Sequence, residues 1–150
     1  MKPFDNLTLM QFLWAALSIL GFSIRVNLKG GKIFFLALGG GLTWALYLIF
    51  LYYSDSLLFS IFCSVILVCI YSEIVARLLK VPVSVFVTCV IIPLVPGSSL
   101  YYAMQGFIAG DSATASENIY KVLLISGTIA MAIAVVSSVT NLVFRLRNRF

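Results

Sequence analysis

The stretch VPVSVFVTCVIIPLVPGSSLYYAMQGFIAG, from Val81 to Gly110, runs for 30 residues without a charge. Pro93, Pro96 and Gly97 interrupt it near its middle. About 20 apolar residues of α-helix cross the hydrocarbon core of a bilayer, which is roughly 30 Å thick. A straight helix of about 30 residues would measure roughly 45 Å, half as long again as that core. The stretch therefore predicts one membrane crossing made of a broken helix.

The break should fall near Val95 and Pro96, because proline removes a helix donor and glycine lets the backbone leave helical geometry. These residues are at the midpoint of the run, which suggests bilayer mid-depth, where irregular backbone must be buried in protein or line a polar cavity. Transporters use the free amides of such a second half-helix to face an anionic group. Ser98 and Ser99 would cap that half-helix or offer hydroxyls to a ligand. The alternative is a proline kink that only shapes packing. The candidate substrate-binding residues are Pro96, Gly97, Ser98, Ser99 and Tyr101.

Four further uncharged runs flank this one and are bounded by charged residues. Each is long enough for one crossing, and helix is required because lipid cannot satisfy open backbone groups. The first run is expected to be a retained helix rather than a signal peptide, since no small-residue cleavage site follows it. The prediction is an all-α bundle of about five transmembrane helices in a single domain, residues 1–150. The four runs are Asn6 to Ile24, Ile33 to Ser54, Ser56 to Ser72 with its continuation to Leu79, and Val122 to Phe144.

The composition excludes several other classes of protein. Hydrophobic residues make up 62% of the chain and charged residues only 10%, against about a quarter charged in soluble domains. The net charge of +5 is dispersed between apolar blocks, so no nucleic-acid-binding face is expected. Histidine is absent, which excludes Ser-His and Cys-His catalysis and histidine metal sites within the chain. Cys63, Cys69 and Cys89 lie in apolar runs and are interpreted as packing residues. No catalytic residue, metal site or cofactor is predicted.

Glu73 and Arg77 are four residues apart near the end of the third run. Side chains at this spacing meet on one helix face and can form an ion pair. An acid within a membrane helix can also be a proton or substrate site. We favour the salt bridge at the interface and keep the functional alternative open.

Small residues form two groups that favour close approach of helix backbones. Contact with a partner subunit and packing inside this chain are both consistent with them, and the second is favoured. The two groups are Gly39 to Gly41 in the second run, and Ser126, Ala130, Ala134 and Ser138 at a period of four in the last.

Tyr101 and Tyr102 lie one turn past the break, which suggests that they line a cavity rather than an interfacial belt.

The segment SEIVARLLKVPVSVFVTCVIIPLVPGSSLYYAMQGFIAGD, from Ser72 to Asp111, resembles the threonine/serine exporter family. More specifically, the chain is similar to the small, membrane-only subunit of the two-component form of that family. The resemblance implies export of small amino acids or small carboxylates, such as succinate, across the bacterial plasma membrane. It also implies a larger partner subunit with its own membrane helices and a soluble domain. It carries over Pro93, Pro96, Gly97, Ser98 and Tyr101 as signature positions, without making them substrate ligands.

We favour the interpretation that the chain is a subunit of a secondary exporter. The alternative is a non-transporting membrane scaffold that stabilises or targets the partner. A homo-oligomer is a further possible assembly in the lipid bilayer.

Basic residues predict the orientation, because cytoplasmic loops are enriched in Lys and Arg. With five crossings, two basic residues, Lys2 and Lys121, fall on one side of the membrane. This predicts an external N-terminus and a cytoplasmic C-terminus. The other side holds the remaining eight: Arg25, Lys29, Lys32, Arg77, Lys80, Arg145, Arg147 and Arg149.

A cysteine accessibility scan in intact cells tests this topology. With the three native cysteines replaced, Thr114→Cys should react with a membrane-impermeant thiol reagent and Asn148→Cys should not. Inverted vesicles provide the control, because the labelling pattern should reverse in them. Labelling of both positions from outside would disprove the five-helix topology.

Overall fold

The computed structural model describes residues 6–25 and 30–147, and these are helical apart from short turns. The all-α prediction of about five membrane helices is confirmed. Among the described residues, three helices are long and apolar enough to cross a membrane: α2 (Lys32–Ser54), α3 (Leu57–Leu78) and α6 (Ser112–Arg147). A bent pair, α4 (Val83–Ile91) with its 3-10 turn and then α5 (Gly97–Ala109), has the combined length and apolar composition of a fourth crossing, and α1 (Asn6–Arg25) contains the shorter apolar segment Leu9–Ile24. The elements are α1 Asn6–Arg25, α2 Lys32–Ser54, α3 Leu57–Leu78, α4 Val83–Ile91, the 3-10 turn Ile92–Leu94, α5 Gly97–Ala109 and α6 Ser112–Arg147.

The last helix begins earlier than its apolar run. Asp111 caps it: the carboxylate accepts hydrogen bonds from the backbone N–H groups of Ala113, at 3.1 Å, and Thr114, at 3.2 Å. A side-chain acceptor of this kind satisfies amides that a helix start leaves open. The bond from the Thr114 hydroxyl, with those from the two amides, holds the pKa of Asp111 below its usual value. The stretch from Asp111 to Asn118, whose polar composition alone would favour a loop, is therefore helical from Ser112 onward.

The first core cluster joins α1, α2, α3 and α4 around Phe86, which is fully buried. Three consecutive glycines of α2 allow this close packing. A Cβ at Gly39 would come within 2.7 Å of Val90 Cγ1, and one at Gly41 within 2.6 Å of the Phe12 ring. A Cβ at Gly40 would overlap the Ile19 side chain. The predicted role of these glycines in packing within the chain is confirmed.

The second core cluster joins α3 and α6 to the residues just before the break. Its buried members are Ile61, Val65, Cys69, Leu94, Ile129, Ala132 and Val136. Helix α5 packs against α6 and makes at most marginal contact with the other described helices. Its closest approach is at Gly106, where a Cβ would come within 2.8 Å of the backbone nitrogen of Ala115. Gly110, at a φ of 72°, closes the two-residue turn between α5 and α6.

The α5–α6 contact generates a stability prediction. Gly106→Ala should lower the free energy of unfolding by roughly 1–3 kcal/mol, the usual cost of overpacking, because the added methyl group meets backbone that cannot rotate away. Gly127→Ala is the matched control, since a Cβ there meets nothing within 4 Å. Thermal unfolding in detergent measures both variants. Equal stability of the two would mean that α5 does not pack on α6 at Gly106.

Candidate functional site

The fourth crossing is broken where the sequence predicts it. The axes before and after the break differ by 63°. The 3-10 turn Ile92–Leu94 ends α4, and Val95 is extended, with φ −63° and ψ 131°. Pro96, at φ −76° and ψ 58°, precedes the first residue of α5. Since Pro93 and Pro96 have no N–H, neither can continue the helical hydrogen bonding.

A neighbouring helix holds the first half of the break in place. The Thr43 hydroxyl of α2 is fully buried and lies 2.9 Å from the carbonyl oxygen of Val90 in the last turn of α4. The same hydroxyl lies 2.8 Å from the carbonyl oxygen of Gly39. The carbonyls of a last helical turn need donors from outside the helix. Thr43 therefore supplies one at the end of α4. Sequence analysis missed this residue, because its partner is 47 positions away and neither lies in a motif.

The second half of the break has open backbone amides. The first four N–H groups of a helix have no partner within it. The amide of Gly97 donates to the carbonyl oxygen of Val95 at 2.7 Å, and that of Leu100 donates to Pro96 at 3.1 Å. Among the described residues, the amides of Ser98 and Ser99 have no such acceptor. Two adjacent N–H groups are therefore available to an acceptor from outside the chain.

The predicted site residues lie together at the start of α5 but are not enclosed. Pro96 is buried, Gly97 and Ser98 are exposed, and Ser99 is half-buried. Tyr101 is 64% exposed. The serine hydroxyls do not cap α5, since no side chain bonds its start, and that part of the prediction is wrong. They have no hydrogen-bond partner within the part of the chain that the structure describes.

Neither the backbone conformation nor the packing of the described residues requires glycine at position 97. Its φ lies outside the left-handed region, and a Cβ there would meet nothing within 4 Å. Glycine commonly marks a place where a ligand or another backbone comes close. The open space beside Gly97 leaves the amides of Ser98 and Ser99 accessible from outside.

The predicted ion pair is present one turn before the end of α3. The Arg77 guanidinium donates to Glu73 Oε2 from Nη2 at 2.7 Å and from Nε at 3.1 Å. The Arg77 side chain is 41% exposed and that of Glu73 is 14% exposed. The i,i+4 salt bridge is confirmed as a contact, and it lies on a different helix from the break.

The small-residue stripe of α6 faces away from the chain. Ser126, Ala130, Ala134 and Ser138 are all exposed. The buried face of the helix is instead formed by Ile129, Ala132 and Val136. The favoured interpretation of this stripe as packing inside the chain is therefore wrong. The reason is that α6 carries small residues on two faces, and the larger isoleucine and valine side chains fill the core.

Other features of the described residues provide no competing site. A search of them finds no group of His, Cys, Asp or Glu that could hold a metal ion. An open groove of about 270 Å³ is lined by Phe22 and by residues of α4, namely Ser84, Val85, Thr88 and Cys89. It contains none of the predicted site residues.

Comparison with known proteins supports one family. No curated protein and no solved structure matches the chain. The model of the family described as "Threonine/Serine exporter, ThrE" matches residues 11–139. The match covers most of the chain and includes every helix that contributes to the break. The matched family is one of membrane transporters. The chain belongs to the threonine/serine exporter (ThrE) family.

Proposed function

We propose that the chain is the membrane subunit of a secondary exporter of threonine, serine or small dicarboxylates such as succinate. The pair of open amides at Ser98 and Ser99 carries this proposal. Two parallel N–H groups at a helix start suit a carboxylate, since both the donors and the helix dipole favour negative charge. The carboxylate is the group that these amino acids and dicarboxylates share.

The residues around the amides fit a ligand of this size. Gly97 leaves space for close approach to the backbone, and the Ser98 and Ser99 hydroxyls add short polar groups beside it. The Tyr101 hydroxyl lies about one turn along α5. We propose that these groups bind the substrate, with Pro93 and Pro96 keeping the helix open. We assign no catalytic role to the chain.

We propose further that a larger membrane subunit with a soluble domain completes the exporter. The start of α5 is exposed in this chain, so a single copy does not enclose a substrate. A second protein surface is needed to enclose it. The exposed stripe of α6 is the proposed contact, since small residues let membrane helices approach closely. The proposed setting is the bacterial plasma membrane, with the N-terminus outside and the C-terminus cytoplasmic.

The scaffold function stays the second candidate. The exposed stripe of α6 also favours it, because a protein that only stabilises its partner needs such a face as well. In that case the break has no role in transport, and the two functions are separated by changing the break alone.

Closing the helix break tests the exporter. In a helix interior, proline is less favourable than alanine by about 3 kcal/mol and glycine by about 1 kcal/mol. Replacing Pro96 and Gly97 by Ala should therefore favour a continuous helix through the break. A continuous helix would engage the amides of Ser98 and Ser99 in its own hydrogen bonds. Export of threonine or succinate, at matched membrane levels, should fall at least tenfold.

The control variant makes the same chemical changes away from the break. Pro82 precedes α4 as its N-cap, and a Cβ at Gly127 meets nothing within 4 Å. The pair Pro82→Ala and Gly127→Ala should therefore keep wild-type export. Wild-type export by the break variant, with partner binding intact, would exclude the break from the mechanism and support the scaffold.

The stripe of α6 tests the partner. Ala130→Leu with Ala134→Leu adds bulk where backbones are proposed to meet, and should reduce co-purification of the larger subunit at least tenfold. Val135→Leu with Val139→Leu is the control, because these residues are exposed on another side of α6. Unchanged co-purification of a normally inserted Ala130/Ala134 variant would remove the stripe from the interface.

A further inference from the structure

The depth of the break in the bilayer follows from the pairing of α5 with α6. These helices pack on each other and are joined by a two-residue turn, Gly110 and Asp111, as in an antiparallel helical hairpin, with Gly106 directly against the backbone of Ala115. Each residue advances about 1.5 Å along a helix. Gly97 comes nine residues before Gly106, and Leu124 comes nine residues after Ala115, which is about 14 Å along each helix. Gly97 is therefore level with Leu124.

Helix α6 provides a depth scale, because its polar and apolar parts are separate. It has 36 residues, a length of about 54 Å against a hydrocarbon core of roughly 30 Å. Its apolar part begins after Lys121, which pairs with Glu117 at 2.7 Å on the exposed surface. The segment Ser112–Lys121, about 15 Å of helix, therefore extends beyond the hydrocarbon. Leu124 lies only about one turn inside it.

The tyrosines near the break match this scale. By the same pairing, Tyr101 is level with Tyr120, next to Lys121, and Tyr102 is one residue shallower. All three tyrosine side chains are more than half exposed: Tyr101 64%, Tyr102 52% and Tyr120 63%. Tyrosine is enriched where the headgroups meet the hydrocarbon, because its ring is apolar and its hydroxyl polar.

We propose that α5, from Tyr101 onward, lies in the headgroup layer on the Gly110 side of the membrane, held there by Tyr101, Tyr102 and Tyr120. The break then opens toward that side, about one turn below the headgroups, and not at the bilayer midplane. The midpoint of the uncharged run does not mark the bilayer midplane, because much of α5 packs beside the polar segment Ser112–Lys121. The partner of this surface is the lipid headgroup layer.

The consequence for transport rests on the proposed function. If Ser98 and Ser99 bind the substrate, they do so at one end of the path. With the proposed orientation, the Gly110 side is external, so the break is where the substrate leaves the exporter. Water from that side would then hydrate the two open amides when no substrate is bound.

Nitroxide depth measurements on the full chain in proteoliposomes test this location. Single cysteines at positions 98, 126 and 134 are spin-labelled after replacement of the native cysteines, and collision rates with oxygen and with a water-soluble nickel complex are compared. Ser126 and Ala134 are both exposed on α6. By the pairing above, Ser126 is level with Val95 and so about 4–5 Å deeper than Ser98, whereas Ala134 is about 12 Å deeper still. Thr114→Cys marks the aqueous end.

Positions 98 and 126 should both report shallow depths, with at least a fivefold higher nickel-to-oxygen collision ratio than position 134. A depth at position 98 equal to that at position 134 would overturn the proposal and restore the midplane location. This result is independent of export: a shallow break in a protein that does not transport would leave the location standing and remove only the proposed function.

Discussion

Lipid offers no hydrogen-bond partner, and this constraint governs the whole structure. Every backbone N–H and C=O within the hydrocarbon must be satisfied by the protein. Hydroxyl side chains in the core follow the same rule: Ser60, Ser64 and Ser72 each donate to the carbonyl four residues earlier. Within the described residues, no buried side-chain nitrogen or oxygen lacks a partner. Every helix start leaves amides open, but the start of α5 follows a break within one apolar run, and the proposed function rests on its two open amides.

The two halves of the broken crossing have different neighbours. Helix α4 is packed among α1, α2 and α3, whereas α5 packs on α6. The glycines of α2 bring α4 close enough for Thr43 to reach Val90. A displacement of α5 relative to α4 would therefore leave the core around Phe86 intact. Leu94, at the end of the first half, shares the second cluster with Ile125 and Ile129 of α6, the helix on which α5 packs.

Much of the fold follows from the positions of charges and prolines. Helix boundaries lie close to the charged residues, because a charge inside the hydrocarbon is costly, and α2 matches its run almost to the residue. The break follows from Pro93 and Pro96. The early start of α6 was not predicted, because a capping aspartate outweighs a polar composition. The outward face of Ala130 and Ala134 was not predicted either, since Ala132 offers an equally small residue on the opposite side.

The candidate site was predicted in its residues but not in its setting. Pro96, Gly97 and the two serines are recognisable from sequence because they break a helix. The local turn decides which amides stay open. The amides of Gly97 and Leu100 donate to the carbonyls of Val95 and Pro96, and those of Ser98 and Ser99 are left without an acceptor. Depth depends on the register between α5 and α6, which Gly106 and Ala115 define only in three dimensions.

The Thr43 hydroxyl has one hydrogen and two carbonyl oxygens within reach, those of Gly39 and Val90. A hydroxyl donates one hydrogen bond at a time. When the hydrogen points to Gly39, the Val90 carbonyl becomes an unshared acceptor at the end of α4. A rotation about a single C–O bond, with no movement of any helix, therefore changes the polarity of the backbone beside the break. The end of α4 can therefore lose this donor while the packing of the fully buried Thr43 and Val90 stays the same.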